Sequence, residues 1–188
     1  MKSHLKLLLA LAFAVFVSNH AFSAETEQTS SQFEPPKPEL AFIGRFSVEL
    51  TAPIWELGKT SDAGKRRVVP IVGGTFKGPL VNGKILNNGA DWQVVTADGM
   101  TEIDTRYLVQ MDDGALVYVQ TKGLRYGPAD VMADVAKGKQ VDPRKYYFRM
   151  YITFETSSEK YAWLNRTVGV VSAMRLGTAV VSDAYAVK

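Results

Sequence analysis

Short runs of alternating apolar and polar residues fill most of the chain from Leu40 onward. Val, Ile, Tyr, Phe and Thr dominate these runs. The dipeptides between them, which include Asn82-Gly83, Asp98-Gly99 and Asp113-Gly114, tolerate positive φ at tight turns. Regular short strands with such turns are typical of antiparallel sandwiches and barrels. The pattern predicts nine strands, near residues 40–51, 68–76, 80–86, 91–97, 101–111, 115–122, 145–155, 160–172 and 177–187.

One segment has helical rather than strand periodicity. Pro128 stands at an early helical position, where its missing N–H is not needed. Apolar residues then recur on one face up to Ala136, and Gly138 follows as a C-terminal stop. We therefore expect one short helix near residues 128–137, which either covers one end of a barrel or packs on its outside.

The turn at Asp113-Gly114 allows the register of one hairpin to be worked out. If these two residues form the whole loop, Asp112 pairs with Ala115 and Val109 with Tyr118. Alternation then divides the hairpin into two faces. One face carries Glu102, Asp104, Arg106, Leu108, Gln110, Val117, Val119 and Thr121, and the other carries Ile103, Thr105, Tyr107, Val109, Met111, Leu116, Tyr118 and Gln120. The pattern leaves open which face lines the lumen of a barrel.

The strand at 145–155 divides in the same way. Arg149 and Glu155 share one face, and Phe148 and Ile152 lie on the other. A simple core would place the apolar set inside. A ligand-binding barrel can instead hold aromatic groups and a few charges in its lumen.

The first 23 residues have the three parts of a secretory signal peptide. Lys2 and Lys6 precede an unbroken apolar run over residues 7–17, and small residues surround Ser23. The run is too short to span a membrane, which takes about 20 apolar residues. We expect cleavage near Ser23, a periplasmic or secreted bacterial protein, and no membrane span in the mature chain. Cleavage lowers the formal net charge from +3 to +1.

Residues 24–39 are polar, contain three prolines and lack periodicity, which predicts a disordered linker. The expected organisation is therefore a signal peptide over 1–23, a linker over 24–39 and one β-barrel domain over 40–188. Hydrophobic residues make up 46% of the chain and charged residues 22%, which is ordinary for a globular domain.

The residue types that are absent exclude several kinds of chemistry. The chain has no cysteine, and its only histidines are His4 and His20 in the leader. The mature protein therefore has no disulfide, thiol nucleophile, imidazole base or Cys/His zinc site. We expect no metal and no cofactor. The one basic cluster, Lys65-Arg66-Arg67, is interpreted as a solvated loop rather than a nucleic-acid site.

Motifs spread along the domain resemble those of the DUF3237 family, also called UPF0311. They are Gly73-Gly74-Thr75-Phe76-Lys77-Gly78-Pro79, Asn88-Gly89-Ala90-Asp91-Trp92-Gln93, Asp98-Gly99, Asp104-Thr105-Arg106-Tyr107, Asp112-Asp113-Gly114, Tyr146-Tyr147-Phe148-Arg149, Phe154-Glu155-Thr156 and Trp163-Leu164-Asn165. The resemblance runs from about Leu40 to the C-terminus. It implies an all-β fold, a single small antiparallel β-barrel of the calycin-like or a similar up-and-down type. Some fungal relatives are associated with adding a hydroxyl across an alkene.

Chemistry and resemblance coincide at eight positions, which are the candidate ligand-binding residues: Asp91, Asp104, Arg106, Tyr107, Arg149, Glu155, Trp163 and Asn165. In a lumen, an Arg would orient a carbonyl or phenolate, a Tyr would donate a proton and a carboxylate would act as base. The same charges could instead tie the strands together as ion pairs. We expect at least some of Asp104, Arg106, Arg149, Glu155 and Trp163 to line a pocket inside the barrel.

Three functions agree with the sequence. The first is a barrel that binds a small apolar or aromatic molecule. The second is a cofactor-independent isomerase, cyclase or lyase that uses a carboxylate, Tyr and Arg in the same pocket. The third is a structural, envelope-associated domain with a filled barrel. The sequence leaves open whether the protein is an enzyme, which ligand it binds and in which oligomeric state it works.

Overall fold

The protein folds into a closed antiparallel β-barrel. The computed structural model describes residues 34–188, so the expected signal peptide over 1–23 and the linker up to residue 33 lie outside the described residues. Residues Lys37–Lys188 form one compact unit. The strands are β1 (Leu40–Leu50), β2 (Trp55–Ser61), β3 (Gly64–Lys77), β4 (Asn82–Ile85), β5 (Gly89–Val95), β6 (Thr101–Met111), β7 (Leu116–Tyr126), β8 (Tyr147–Glu155), β9 (Gly169–Arg175) and β10 (Ala179–Val187).

The barrel closes through a hydrogen-bonded ring of eight strand positions. The ring runs β1, β10, β9, β8, β7, β6, then β4 and β5 together, then β3, which pairs with β1 again. Strands β4 and β5 share one position because each pairs with both β3 and β6. All neighbours are antiparallel, so the all-β, up-and-down barrel expected from the sequence is confirmed.

Parity along the strands decides which residues face the lumen. On β6 the odd-numbered residues from Thr101 to Met111 are buried, and on β8 the even-numbered residues from Phe148 to Phe154 are buried. The apolar faces therefore point inward, as in a simple hydrophobic core. Burial of these side chains is the main force that closes the barrel.

The two ends of the barrel differ. At one end a 3₁₀ segment, Glu159–Arg166, buries Tyr161 and Leu164 over the core. There Phe46 stacks on Phe76 with ring centroids 3.9 Å apart, and both rings are fully buried. We call this the 3₁₀ end. The interior at this end is filled with apolar side chains.

A short helix covers the other end, which we call the helix end. Helix α1 (Ala129–Ala136) lies between β7 and β8, close to the helix expected over 128–137. Its Val135 is buried and belongs to the core cluster, so the helix covers the barrel mouth rather than packing on its outside. No helix within residues 34–188 is long and apolar enough to cross a membrane.

The expected register of the β6–β7 hairpin is wrong by one residue. Val109 pairs with Val117 rather than with Tyr118. The loop has three residues, because the N–H of Met111 bonds to the carbonyl of Ala115 and Gly114 takes a φ of 85°. A turn followed by a left-handed glycine is the usual three-residue hairpin. The shift places Val117, Val119 and Thr121 on the same inward face as Tyr107.

Two expectations about strands are also wrong. The strand expected over 160–172 begins only at Gly169, because Tyr161 and Leu164 are three residues apart and share one face of a 3₁₀ turn. Strand β2 was missed, because it lies outside the ring, pairs only with β3 and is almost wholly exposed. It therefore lacks the apolar alternation that identifies a strand by its buried face.

Candidate functional site

The helix end of the barrel contains a cavity of about 90 Å³. Its walls combine apolar side chains, among them Ile103, Val135 and Phe148, with a small group of charged and polar ones. Ile54 and Ala136, which are both exposed, lie at its mouth. The polar group consists of Asp91 and Gln93 from β5, Arg67 from β3, Arg125 from β7 and Arg175 from β9.

Asp91 is the acidic group of this cavity. Its carboxylate accepts a hydrogen bond from the Gln93 side-chain amide and a second, of 3.2 Å, from the backbone N–H of Asp104. Burial raises the pKa of Asp91 above its ordinary value, and the hydrogen bonds oppose this effect only in part. No ion pair within residues 34–188 includes Asp91. It is a desolvated carboxyl held by neutral donors.

Gln93 connects Asp91 to an arginine. Arg67 donates from Nε to Oε1 of Gln93 at 2.7 Å, and the Gln93 amide nitrogen then donates to Asp91. Strand geometry makes this series of hydrogen bonds possible. Asp91 and Gln93 are two residues apart on β5 and share a face, and Arg67 on the neighbouring β3 pairs with Gln93. The three side chains form one hydrogen-bonded relay along the wall of the cavity.

Arg125 is the least satisfied group in the cavity. It is 7% exposed, and its Nε has no hydrogen-bond partner among the described residues. Its guanidinium carbon lies 5.5 Å from the centre of the Phe148 ring. Burial, and then repulsion from Arg67, lower the pKa of Arg125 from 12.5 to about 10.

Arg175 at the end of β9 also lines the cavity, and backbone carbonyls hold its side chain. Its NH1 donates to the carbonyls of Leu176 and Ala179. The Tyr146 hydroxyl accepts a hydrogen bond of 2.8 Å from the Arg175 backbone N–H. Burial lowers the pKa of Arg175 from its ordinary value, and Arg67 lowers it further. Three guanidinium groups therefore border a single small cavity.

Two of the eight candidate residues line this cavity, namely Asp91 and Tyr107. Tyr107 is 4% exposed and forms an edge-on contact with Phe46, with ring centroids 6.2 Å apart. Burial raises the pKa of Tyr107. Its ring belongs to the boundary between the cavity and the filled 3₁₀ end.

The expectation that Asp104 and Arg106 line the lumen is wrong. Both occupy even positions on β6, whose odd positions face inward. On the outer surface Asp104 accepts hydrogen bonds from Arg106 NH2 at 3.1 Å and from the Gln120 amide at 3.2 Å. Arg106 lies 5.7 Å from the centre of the Trp92 ring. These residues form a network between strands β5, β6 and β7 on the outside of the barrel.

Arg149, Glu155 and Trp163 are also outside the lumen, which corrects the same expectation. Arg149 and Glu155 occupy odd positions of β8, which are exposed. Arg149 donates to the Phe148 carbonyl at 2.9 Å. Trp163 is 37% exposed on the 3₁₀ segment. Their assignment as ligand-binding residues stays a prediction.

Asn165 likewise lies away from the cavity. Its side chain accepts a hydrogen bond from the Thr156 N–H and donates to the Thr156 carbonyl, each at 2.8 Å. These two hydrogen bonds fix the end of β8 to the 3₁₀ segment. The structure thus gives Asn165 a structural contact that accounts for an amide at this position.

Sequence reasoning missed Gln93 and the three arginines. Arg67 was interpreted as part of a solvated loop, which is wrong, because Lys65–Arg67 belong to β3 and the side chain of Arg67 lines the cavity. Arg125 has the same parity on β7 as the buried residues Val117 and Val119. Parity carried through the correct register would have found Arg125.

Comparison with known proteins agrees with this architecture. Residues 38–187 match the family model described as "Protein of unknown function (DUF3237)". A UPF0311 protein of Bradyrhizobium diazoefficiens is 41% identical over 124 residues, which are 66% of this chain and 81% of that protein. The crystal structure of a beta-barrel like protein from Acinetobacter baumannii is 60% identical, with a TM-score of 0.74, and the match covers 84% of this chain and all of that one.

A more distant relative has a named activity. A hydroalkoxylation enzyme of Penicillium herquei is 29% identical over 156 residues, which are 82% of this chain and 85% of that protein. The family model and the bacterial relatives together cover nearly the whole described domain. The chain belongs to the DUF3237 family, also called UPF0311.

Proposed function

We propose that the barrel binds a small, partly apolar molecule in the cavity at its helix end. The observation that supports this most directly is Arg125, whose buried Nε has no partner within residues 34–188. Buried polar groups in folded proteins are almost always hydrogen-bonded, because an unpaired one costs about 1–3 kcal/mol. A bound ligand oxygen at this nitrogen would remove that cost.

The walls of the cavity favour the same function. Convergent polar groups among apolar and aromatic side chains are the usual composition of a small-molecule site. The cavity joins Asp91, Gln93 and Arg125 with apolar walls such as Ile103 and Phe148. A barrel that served only as a scaffold would gain stability from apolar side chains at these positions.

A screen with a cavity-filling variant tests the proposal. Short-chain and small cyclic alcohols, ketones and acids are tested for a rise in melting temperature of the protein. Ser182 is buried and lines the cavity, so Ser182→Leu should fill it and abolish the response. Ser172 is exposed on the outer face of β9, and Ser172→Leu is the matched control. Hits that respond equally with Ser182→Leu would contradict binding in the cavity.

Asp91 supports a second candidate, an enzyme that needs no cofactor. A carboxyl with a raised pKa, next to a cavity, is suited to hold a proton and transfer it to a ligand. The relative named for hydroalkoxylation suggests the reaction class. In such a step Asp91 would protonate one alkene carbon, a hydroxyl oxygen of the substrate would bond to the other, and the hydroxyl proton would return to Asp91.

Turnover of a model substrate separates the enzyme from the binding protein. 4-Penten-1-ol contains both an alkene and a hydroxyl in a small molecule, and its cyclised product is separated by chromatography. Asp91→Asn should remove turnover while the ligands found in the thermal screen still bind. Turnover that survives in Asp91→Asn would contradict the proposed role of this carboxyl. A wild-type protein that binds hits but converts no alkenol would leave the binding function alone.

A further inference from the structure

We propose that the ligand of the cavity is an anion, a molecule that presents a carboxylate, enolate or phenolate oxygen on a small apolar body. This inference rests on the proposed function, because it names the chemical class of the molecule bound at the same site. The cavity would hold the charged oxygen at its arginines and the apolar part against its hydrophobic wall.

The balance of charge around the cavity is the first argument. Three arginines line it, namely Arg67, Arg125 and Arg175, and among the described lining residues Asp91 alone is acidic. Even with Asp91 ionised, two positive charges have no counter-charge in the lining. Like charges in a partly desolvated space repel strongly, and proteins tolerate buried charges mainly as pairs.

The hydrogen bonds of the arginines show which of them is free to bind. Arg67 Nε is used by Gln93, and Arg175 NH1 is used by two backbone carbonyls. Arg125 Nε, by contrast, is buried without a partner in the part of the chain that the structure describes. A guanidinium provides donors in a planar fork that matches a carboxylate or a similar oxygen pair.

The electrostatic strain of the site points in the same direction. The lowered pKa values of Arg125 and Arg175 result from burial and from the neighbouring arginine charges. Arg125 nevertheless stays charged at pH 7, because its pKa of about 10 lies well above neutrality. A bound anion would offset the repulsion that lowers these values.

The size of the cavity limits the ligand. At about 90 Å³ it is smaller than a cavity of about 150 Å³ that is known to hold benzene. It therefore admits an acid of a few carbon atoms, or the acidic end of a longer molecule that passes Ile54 and Ala136 at the mouth. The apolar part of the lining includes Val69, Ile103 and Val135.

Acid–amide pairs of the same shape test the charge directly. Binding of acetate against acetamide, and of propionate against propionamide, is measured by NMR titration of the purified protein at constant ionic strength. We expect each acid to bind at least about tenfold more tightly than its amide, which is the scale of one charge-assisted hydrogen bond. In Arg125→Gln this preference should disappear.

A matched variant controls for long-range charge. Arg45→Gln removes one positive charge from the outer surface of β1, where Arg45 pairs with Asp183 at 2.6 Å. It should retain the preference for acids, and circular dichroism checks that Arg125→Gln is folded. The acid–amide comparison on the unaltered protein stands even if that variant does not fold.

The other outcomes separate this inference from the proposed function. Amides that bind as tightly as acids, with an equal response in Arg125→Gln, would overturn the anion and leave small-molecule binding in place. An acid preference lost equally in Arg45→Gln would reduce the effect to surface charge and overturn the inference. Failure of acids, amides and every compound of the thermal screen to bind would overturn both.

Discussion

Arg67 donates a hydrogen bond of 2.7 Å from its Nε to the side-chain oxygen of Gln93. This bond fixes the orientation of the amide, because the oxygen is occupied and the nitrogen must then point toward the Asp91 carboxylate. Two strands thereby hold an acid in a defined position inside the barrel. The relay depends on the central amide, which both accepts and donates.

The first prediction concerns that amide. In Gln93→Leu the Arg67 Nε loses its acceptor and Asp91 loses a donor, so the free energy of unfolding should fall by about 2 kcal/mol. Urea denaturation measures the change. Gln120→Leu is the control, because Gln120 is half-buried and its amide donates at 3.2 Å to Asp104 on the outer face. Its cost should stay within about 0.5 kcal/mol. Equal costs would contradict the relay.

The second prediction is a pH dependence. The folded-state pKa of Asp91 lies above its ordinary value of 3.8, so the folded state holds this proton more tightly than the unfolded state. The stabilising contribution of Asp91 is therefore largest below pH 3.8, and it declines as the pH rises through the raised pKa. The wild type should lose stability relative to Asp91→Asn across this window, whatever the constant difference between them. A difference that does not change with pH would contradict a desolvated carboxyl.

The third prediction is that the protein gains stability when it loses Arg125. A lowering of its pKa from 12.5 to about 10 corresponds to roughly 3 kcal/mol of unfavourable interaction of the charged form. Part of this is offset by the contact with Phe148, so Arg125→Met should raise the free energy of unfolding by about 1–2 kcal/mol. Arg45→Met breaks an exposed ion pair and should cost up to about 1 kcal/mol. A fall in stability of Arg125→Met would show that Arg125 serves the fold rather than a ligand.

The strands and the barrel could be predicted from the sequence because they follow from local alternation and turn residues. The site could not, because the face of each strand depends on register, and register depends on loop geometry. One extra residue in the loop at Gly114 moved Val117 and Val119 to the face of Tyr107. The expected register placed Arg125 on the wrong face for the same reason, because Arg125 shares the parity of these two residues on β7.

The prediction that Asp104 and Arg106 face the lumen was wrong for a different reason. Asp104 and Arg106 carry a family resemblance, and such positions were expected in a lumen. In the structure they pair with each other on the outside, where they also contact Gln120 and Trp92. Pairing across strands is a sufficient physical reason for charged residues at these positions. A family motif therefore does not by itself place a residue in the lumen, and the contacts of Asp104 and Arg106 lie on the outer surface.

The fourth prediction tests the hairpin that sets this register. Gly114 has a φ of 85° and open space where a Cβ would be, so Gly114→Ala should cost about 1 kcal/mol from backbone strain alone. Gly114→Asn should cost less, because asparagine tolerates the left-handed region. Thermal unfolding of the two variants measures the order. Equal stabilities of Gly114→Ala and the wild type would contradict the left-handed conformation of Gly114.

The central claim is that a ligand binds at the helix end of the barrel rather than on its outer surface. Methyl NMR spectra recorded during a propionate titration test it most directly. We predict shifts for the cavity methyls of Ile103 and Val135, and none for Val117 and Leu164, which are fully buried toward the 3₁₀ end. Shifts confined to Val170, in the outer groove beside Arg149, would contradict the account.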